Sequence, residues 1–251
     1  MEMTRTHGAP SFEDACARRG ATPTDMSCRD CAVHSRAFCA VLDDETLVRL
    51  EALHSYCDLS GEDSLFMEGD DATYFYTILS GSFRLSKLLP DGRRQITGFA
   101  LPGEFIGLSL GETYDCNAEA LTVSKLCRFT VTDLKQIGRE NPEMEGRLLT
   151  MTHTTLNYAQ DHMLLLGRMN AKEKVASFLC SLMKRTAGID QTSDHISLPM
   201  SRSDIADYLG LTIETVSRTF IRLKNDKIIS LPDHARVKVD DMTALVSLAE
   251  G

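Results

Sequence analysis

The stretch Ser201–Asp226, SRSDIADYLGLTIETVSRTFIRLKND, constrains this chain more than any other. It reads as two short helices around a tight turn. Ser201 is a good N-cap, and Asp204 three residues later can return a bond to the cap's backbone, as in a capping box. Ile205, Tyr208 and Leu209 share one face by i, i+3, i+4 spacing. Gly210 allows the positive φ of a sharp helix end. Thr212 caps a second helix, expected to bury Ile213, Val216, Phe220 and Leu223 and to turn Glu214, Thr215, Ser217 and Arg218 outward. A plain helical hairpin with a charged outer face would show the same pattern. So would a helix-turn-helix whose second helix enters the major groove of DNA. The outward residue types favour the DNA reader. Arg can fork onto guanine O6 and N7, Glu can accept from cytosine N4, and Ser can meet either kind of base. Arg202 and Thr212 complete the candidate DNA-binding set.

The same run resembles the DNA-binding segment of the CRP/FNR regulators, and Glu214, Ser217 and Arg218, as Glu-x-x-Ser-Arg, resemble its FNR branch. That resemblance implies a TTGAT-type half-site in double-stranded DNA, read as an inverted repeat by a homodimer. It runs from about Cys28 to Leu248 and is most specific at the helix-turn-helix.

The net charge of −9 at first opposes DNA binding. From Gly167 onward, however, 12 Lys and Arg stand against 11 Asp and Glu, leaving 15 against 25 for the remainder. The acidity therefore belongs to the N-terminal part, and local charge governs docking to phosphate. A chain of 251 residues, 43% of them hydrophobic, has room for one large or two modest domains. No run of eighteen apolar residues offers a membrane span, and the first thirty residues lack the apolar segment of a signal peptide. We expect a cytoplasmic protein.

Eight cysteines in such a compartment point to metal or redox chemistry rather than a disulfide scaffold. Cys28-Arg-Asp-Cys31 aims two sulfurs the same way, and Cys39 follows after seven residues. That is a three-armed clamp lacking one ligand, suited to zinc or an iron–sulfur centre. Resemblance to FNR-type oxygen sensors implies a [4Fe-4S] cluster with a fourth cysteine in the sensor domain. Their better-known members place five residues before the third cysteine, so the seven here resemble the FnrN-like branch. Cys127, in AEALTVSKLCRFTVTDL, falls where the family's fourth ligand falls; Cys116 in the adjoining loop stays an alternative. Cys57 and Cys180 read as small core residues, Cys16 as a bystander and His34 as a solvated loop residue.

From Leu47 to Phe129, short apolar stretches alternate with turn signals, as in a small β-barrel or jelly roll. Strands are expected near 64–66, 74–80, 83–88 and 95–100, with Leu89-Pro-Asp-Gly92 as a hairpin turn. The runs FYTILSGSFRL and ITGFALPGEFIG are similar to the cyclic-nucleotide-binding fold of the same family. A nucleotide pocket needs a cation to meet the cyclic phosphate. At the matching place stands Cys116-Asn-Ala-Glu119, so no cyclic nucleotide is expected.

Residues 143–167 read as one long helix, with Asn141 as cap and Pro142 in its first turn. Met144, Leu148, Met151 and Thr155 continue through Tyr158, His162 and Leu166 as a near-heptad seam, broadened by Leu156, Ala159 and Met163. We expect this to be the dimer helix. The alternative is a helix packed only on its own barrel. Residues 171–185 form another amphipathic helix, and IISLPDHARVKV two strands of a wing whose His234, Arg236 and Lys238 face phosphates.

The expected fold is therefore α+β. A leader over 1–40 and a cyclic-nucleotide-binding-like β-barrel (jelly roll) over 41–141 precede a dimerisation helix over 142–167. A winged helix-turn-helix occupies 168–251. The expected function is oxygen-responsive transcription regulation, mainly activation. Cys28, Cys31, Cys39 and Cys127 hold the cluster, and oxygen breaks it and releases DNA. The Asp91-Gly92 hairpin meets RNA polymerase, as the resemblance implies. A thiol or zinc sensor would serve the same DNA reader, as would haem on His54 or His153. No P-loop, nucleophile elbow or HExxH supports an enzyme.

Overall fold

The computed structural model describes residues 27–109, 111–187 and 195–251. Cys16, and residues 188–194 of the polar loop, lie outside the described residues. Three short 3-10 turns, Cys28–Asp30, His34–Arg36 and Phe38–Val41, lead into helix α1 (Asp44–Leu53). Eight strands follow: β1 (Ser55–Leu59), β2 (Ser64–Phe66), β3 (Tyr74–Ser80), β4 (Phe83–Leu88), β5 (Arg94–Ala100), β6 (Phe105–Ile106), β7 (Asn117–Ala120) and β8 (Ser124–Thr130). They form two antiparallel four-stranded sheets, ordered β1-β8-β3-β6 and β2-β7-β4-β5. This is a jelly roll of two sheets and not the closed barrel the alternation allowed. The four expected strands fall within a residue of their places. The expected barrel start is corrected, because Asp43 accepts from the Thr46 backbone and starts a helix there.

Period-2 alternation gives the first sheet two functional faces. Tyr76, Ile78 and Leu126 point between the sheets and join the central core. Phe75, Cys127 and Phe129 point the other way. That outer face is covered by Phe38, Leu47 and Leu50, by helix α2 (Val131–Glu140) through Leu134 and Ile137, and by the start of helix α3 (Pro142–Arg168). Pro142 sits at the start of α3, but Asn141 does not cap it; its amide donates to the Ile137 carbonyl at the end of α2 instead.

Helix α3 has 27 residues, about 40 Å of rise. Its two buried residues lie in different cores: Met144 beside the cysteine turns and Leu165 inside the DNA-binding domain. That domain comprises α4 (Ala171–Thr186), β9 (His195–Ser197), α5 (Arg202–Leu209), α6 (Ile213–Asn225), β10 (Ile229–Asp233), β11 (Arg236–Val239) and α7 (Met242–Glu250). The wing is a three-stranded sheet ordered β10-β11-β9. Its core continues into the jelly roll through Ile96, Phe99 and Leu101. Among the described residues, no helix is long and apolar enough to cross a membrane.

Candidate functional site

The helix-turn-helix follows the local rules of its sequence. The Ser201 hydroxyl accepts from the Asp204 backbone at 3.1 Å, and the Asp204 carboxylate accepts from the Ser201 backbone at 3.0 Å. Gly210 ends α5 at φ +61°. Thr212 caps α6 by accepting from the Thr215 backbone. Val216, Phe220 and Leu223 are buried, and so is Thr219, whose hydroxyl donates to the Thr215 carbonyl. Ile213 departs from expectation: it is 47% exposed, since the first turn of α6 projects past the domain core. Glu214 and Arg218 are exposed and Thr215 and Ser217 half-buried, all on the projecting face. The Arg202 guanidinium lies 3.7 Å over the Phe220 ring, so it packs against the recognition helix before it can meet DNA.

The cysteines meet outside the helix-turn-helix, between the leader turns and β8. Cys28, Cys31, Cys39 and Cys127 line one cavity of about 20 Å3, with Phe38, Tyr56 and Phe129 among its walls. Cys127 is there because it lies on the outer face of β8, opposite Thr77 of β3. Cys116 packs against the central core beyond the sheet, and Cys57 is 1% exposed in that core. Cys57 is also disulfide-bonded, so it is not the simple core thiol its surroundings suggested. Glu51 of α1 anchors the first cysteine, accepting from the Ser27 hydroxyl and the Cys28 backbone. Burial pushes the Cys28 thiol up to about 11, with the Glu51 and Cys31 charges adding to it. Burial, then Cys28 and Cys31, push Cys39 up to about 12. Burial, then the other three cysteines, raise Cys127 as well. Metal ligation would have to deprotonate all of these thiols. His34 Nδ1 lies 3.8 Å from the Cys39 sulfur.

Among the described residues, no three or more His, Cys, Asp or Glu side chains are set to close on a single ion. One tetrahedral ion at Zn–S distances of about 2.3 Å would need its sulfurs within roughly 4 Å of one another. A multi-iron cluster takes one thiolate per iron and spreads them wider. Four thiols around one apolar cavity, with the unpartnered Thr77 hydroxyl in its wall, are a donor set of the kind such a cluster takes. His54 packs edge-on against Tyr56 near this cavity, whereas His153 is exposed on α3 beside Asn157.

The proposed dimer seam needs a correction of register. Met144 is fully buried in its own protomer, and Leu148 and Met151 are half-buried against the same core. Tyr158 and His162 face the DNA-binding domain: Arg185 lies over the Tyr158 ring, and His162 stacks on Tyr208 at 4.0 Å. Leu156, Ala159 and Met163 do lie exposed, as does Thr155. With Leu149 they mark the face without a partner: Leu149, Leu156 and Met163 recur every seven residues and are 72%, 52% and 64% exposed. The seam was misplaced because the apolar residues of the first half of α3 serve the cysteine core.

Sequence reasoning also missed the polar links between the two sites. The Arg36 guanidinium, between the second and third cysteines, donates to the Arg185 and Ala187 carbonyls at the end of α4. Those are carbonyls a helix end leaves unpaired. Arg147 of α3 donates to the Arg36 carbonyl at 3.0 Å. Arg185 in turn binds Glu104 and the Phe99 carbonyl of the jelly roll. On the second sheet, Arg84 and Arg94 both reach Asp204, at 3.1 and 3.2 Å, and Arg94 reaches Asp207 at 2.8 Å. These contacts cross more than eighty positions, and no local pattern marks them.

Residues 173–248 match the family model of a Crp-like helix-turn-helix domain, and residues 58–141 that of a cyclic nucleotide-binding domain. The chain is 44% identical over 223 residues to the nitrogen fixation regulation protein FixK of Bradyrhizobium diazoefficiens, covering 86% of this chain and 94% of that one. It is 35% identical to the transcriptional activator protein FnrL of Cereibacter sphaeroides, over 88% of this chain and 91% of that one. The solved structure of FixK2 from Bradyrhizobium japonicum superposes with a TM-score of 0.73 at 35% identity, covering 78% of this chain and 97% of that one. With both domains matched and these relatives aligned over most of its length, the chain belongs to the CRP/FNR family of DNA-binding transcription regulators.

Proposed function

We propose that this protein is a cytoplasmic, oxygen-responsive regulator, mainly an activator, that binds a TTGAT-type inverted repeat as a dimer when a [4Fe-4S] cluster is present. The carrying observation is that four thiols from two distant parts of the chain line one cavity, while the other described cysteines lie elsewhere. Cys28, Cys31, Cys39 and Cys127 would hold the group, which when bound supplies an oxygen-labile, redox-active link among them. Relatives named as transcriptional activators, and one from Pasteurella multocida named an anaerobic regulatory protein, support the direction and the signal.

The chain's own residues explain how such a link would reach the DNA reader. A group held by all four cysteines would tie the cysteine turns to β8 through Cys127. Those turns carry Arg36, which holds α4, and they pack on the start of α3. A displacement there would bias both the dimer helix and the placement of the helix-turn-helix. Only a few kcal/mol between the two arrangements would suffice. Glu214, Ser217 and Arg218 would then read base edges. The tip of the β4–β5 hairpin, where Leu88 and Leu89 are exposed, would meet RNA polymerase. No cyclic nucleotide is expected, since Glu104 is committed to Arg185, and Arg84 beside β7 to Glu119.

The test is the absorbance of protein prepared without oxygen, followed through air exposure, with binding to a TTGAT inverted repeat measured alongside. A brown protein that bleaches while losing DNA affinity is the expected result. A colourless protein whose DNA binding ignores air would overturn the cluster and leave a DNA-binding regulator with another signal.

A further inference from the structure

Thr77 stands in β3 directly across from Cys127. Strand alternation puts it on the same outer face as Phe75, so its side chain enters the wall of the cysteine cavity. It is 4% exposed, and its hydroxyl has no hydrogen-bond partner. A buried, unpaired hydroxyl is uncommon in a folded protein and calls for an explanation. A Val of the same shape would sit in a strand equally well and would leave nothing unpaired. One water would fit the cavity, but it needs two to four polar partners. The remaining lining is sulfur and apolar carbon, apart from the tyrosine ring.

We propose that Thr77 is a hydrogen-bond donor to the sulfur of the cofactor this cavity takes, either the Cys127 thiolate or a bridging sulfide. The inference rests on the cluster assignment made above. A hydroxyl bond to electron-rich sulfur stabilises it, and such bonds tune the stability and potential of iron–sulfur centres. No group among the described residues offers that hydroxyl a partner. The residue therefore favours the loaded state through one bond, which pairs a hydroxyl already desolvated.

The experiment compares wild type, Thr77→Val and Thr77→Ser, each reconstituted anaerobically with ferrous iron and sulfide. Iron uptake, the rate of iron loss to excess chelator under nitrogen, and the melting temperature before reconstitution are recorded. Thr77→Val should melt at or above wild type when unloaded, yet release iron about tenfold faster once loaded, in the range typical of outer-shell partners. Thr77→Ser should release iron at the wild-type rate. Equal release from wild type and Thr77→Val overturns the proposal while leaving the cluster assignment intact. Unloaded Thr77→Val melting below wild type would show that the hydroxyl is paired and would also overturn it. Wild type that takes up no iron overturns the assignment and the proposal together.

Discussion

The helix-turn-helix and the cysteine cavity are assembled by opposite rules. The first is one continuous stretch whose caps, turn and buried face come from neighbours three or four residues apart. The second joins three short turns to a strand, with Cys39 and Cys127 separated by 88 positions. A unit of local contacts can keep its shape while its position changes. A unit of distant contacts changes shape when any one part moves. That division suits a rigid reader beside a deformable second site, and Asp204 is where it can be tested most sharply. Asp204 completes the local capping box of α5, and it also holds Arg84 and Arg94 of the distant sheet while only 4% exposed.

Asp204→Ala should have the largest effect. It takes one carboxylate from Arg84, which keeps Glu119, and one from Arg94, which keeps Asp207, and it removes the cap's returned bond as well, a loss of about 1.5–3 kcal/mol. Ser201→Ala removes only the local cap and should cost about 1 kcal/mol. Thermal melts of the two variants separate these roles. Equal losses would mean that the long-range ion pairs of Asp204 add nothing to stability.

Arg218→Ala comes next, with about 1–3 kcal/mol lost from discrimination between a TTGAT repeat and random DNA. Its cofactor content should stay at the wild-type value, because the reader is a separate unit. Equal weakening on both DNAs would assign Arg218 to phosphate rather than base contact.

Leu156→Glu tests the corrected register of α3. Placing a charge on the exposed seven-residue repeat should weaken dimerisation at least tenfold, about 1.4 kcal/mol, by analytical ultracentrifugation. Met144→Ala should instead lower the melting temperature, since Met144 is buried inside its own protomer. The reverse pattern would restore the seam through Met144.

The smallest expected effect is a pH slope at the contact between α3 and α5. Burial, the leading cause, lowers the pKa of His162, whose Nε2 meets the Tyr208 carbonyl at 2.7 Å. The unfolded chain therefore binds the extra proton first as pH falls. The stability His162 contributes is complete above about pH 6.5 and declines as pH falls through the lowered value. Melting temperature should drop modestly between about pH 7 and pH 5, and His162→Gln should flatten that drop.

The same contrast explains what the sequence could show. Ser201, Asp204, Gly210 and Thr212 announce their roles through neighbours, so the first helix, turn and recognition helix were legible residue by residue. So were the strands, because period-2 alternation and the Pro-Asp-Gly turn are local signals. Cys28, Cys31 and Cys39 were legible as a cluster by spacing. Cys127 was legible only through resemblance, since nothing near it says which face of β8 is covered. Arg36, Thr77 and Arg147 gave no signal, because their partners lie far along the chain. The first half of the heptad seam was hidden for a related reason: a helix can carry two apolar faces, and its sequence does not say that its own protomer consumes Met144.

The measurement that bears most directly on the sensor is iron and acid-labile sulfide per chain, in anaerobically prepared wild type, Cys127→Ser and Cys116→Ser. Wild type and Cys116→Ser should hold about four of each, the four-thiolate stoichiometry of such a cluster, and Cys127→Ser should lose most of both. Retention in Cys127→Ser with loss in Cys116→Ser would contradict the cavity as the cofactor site.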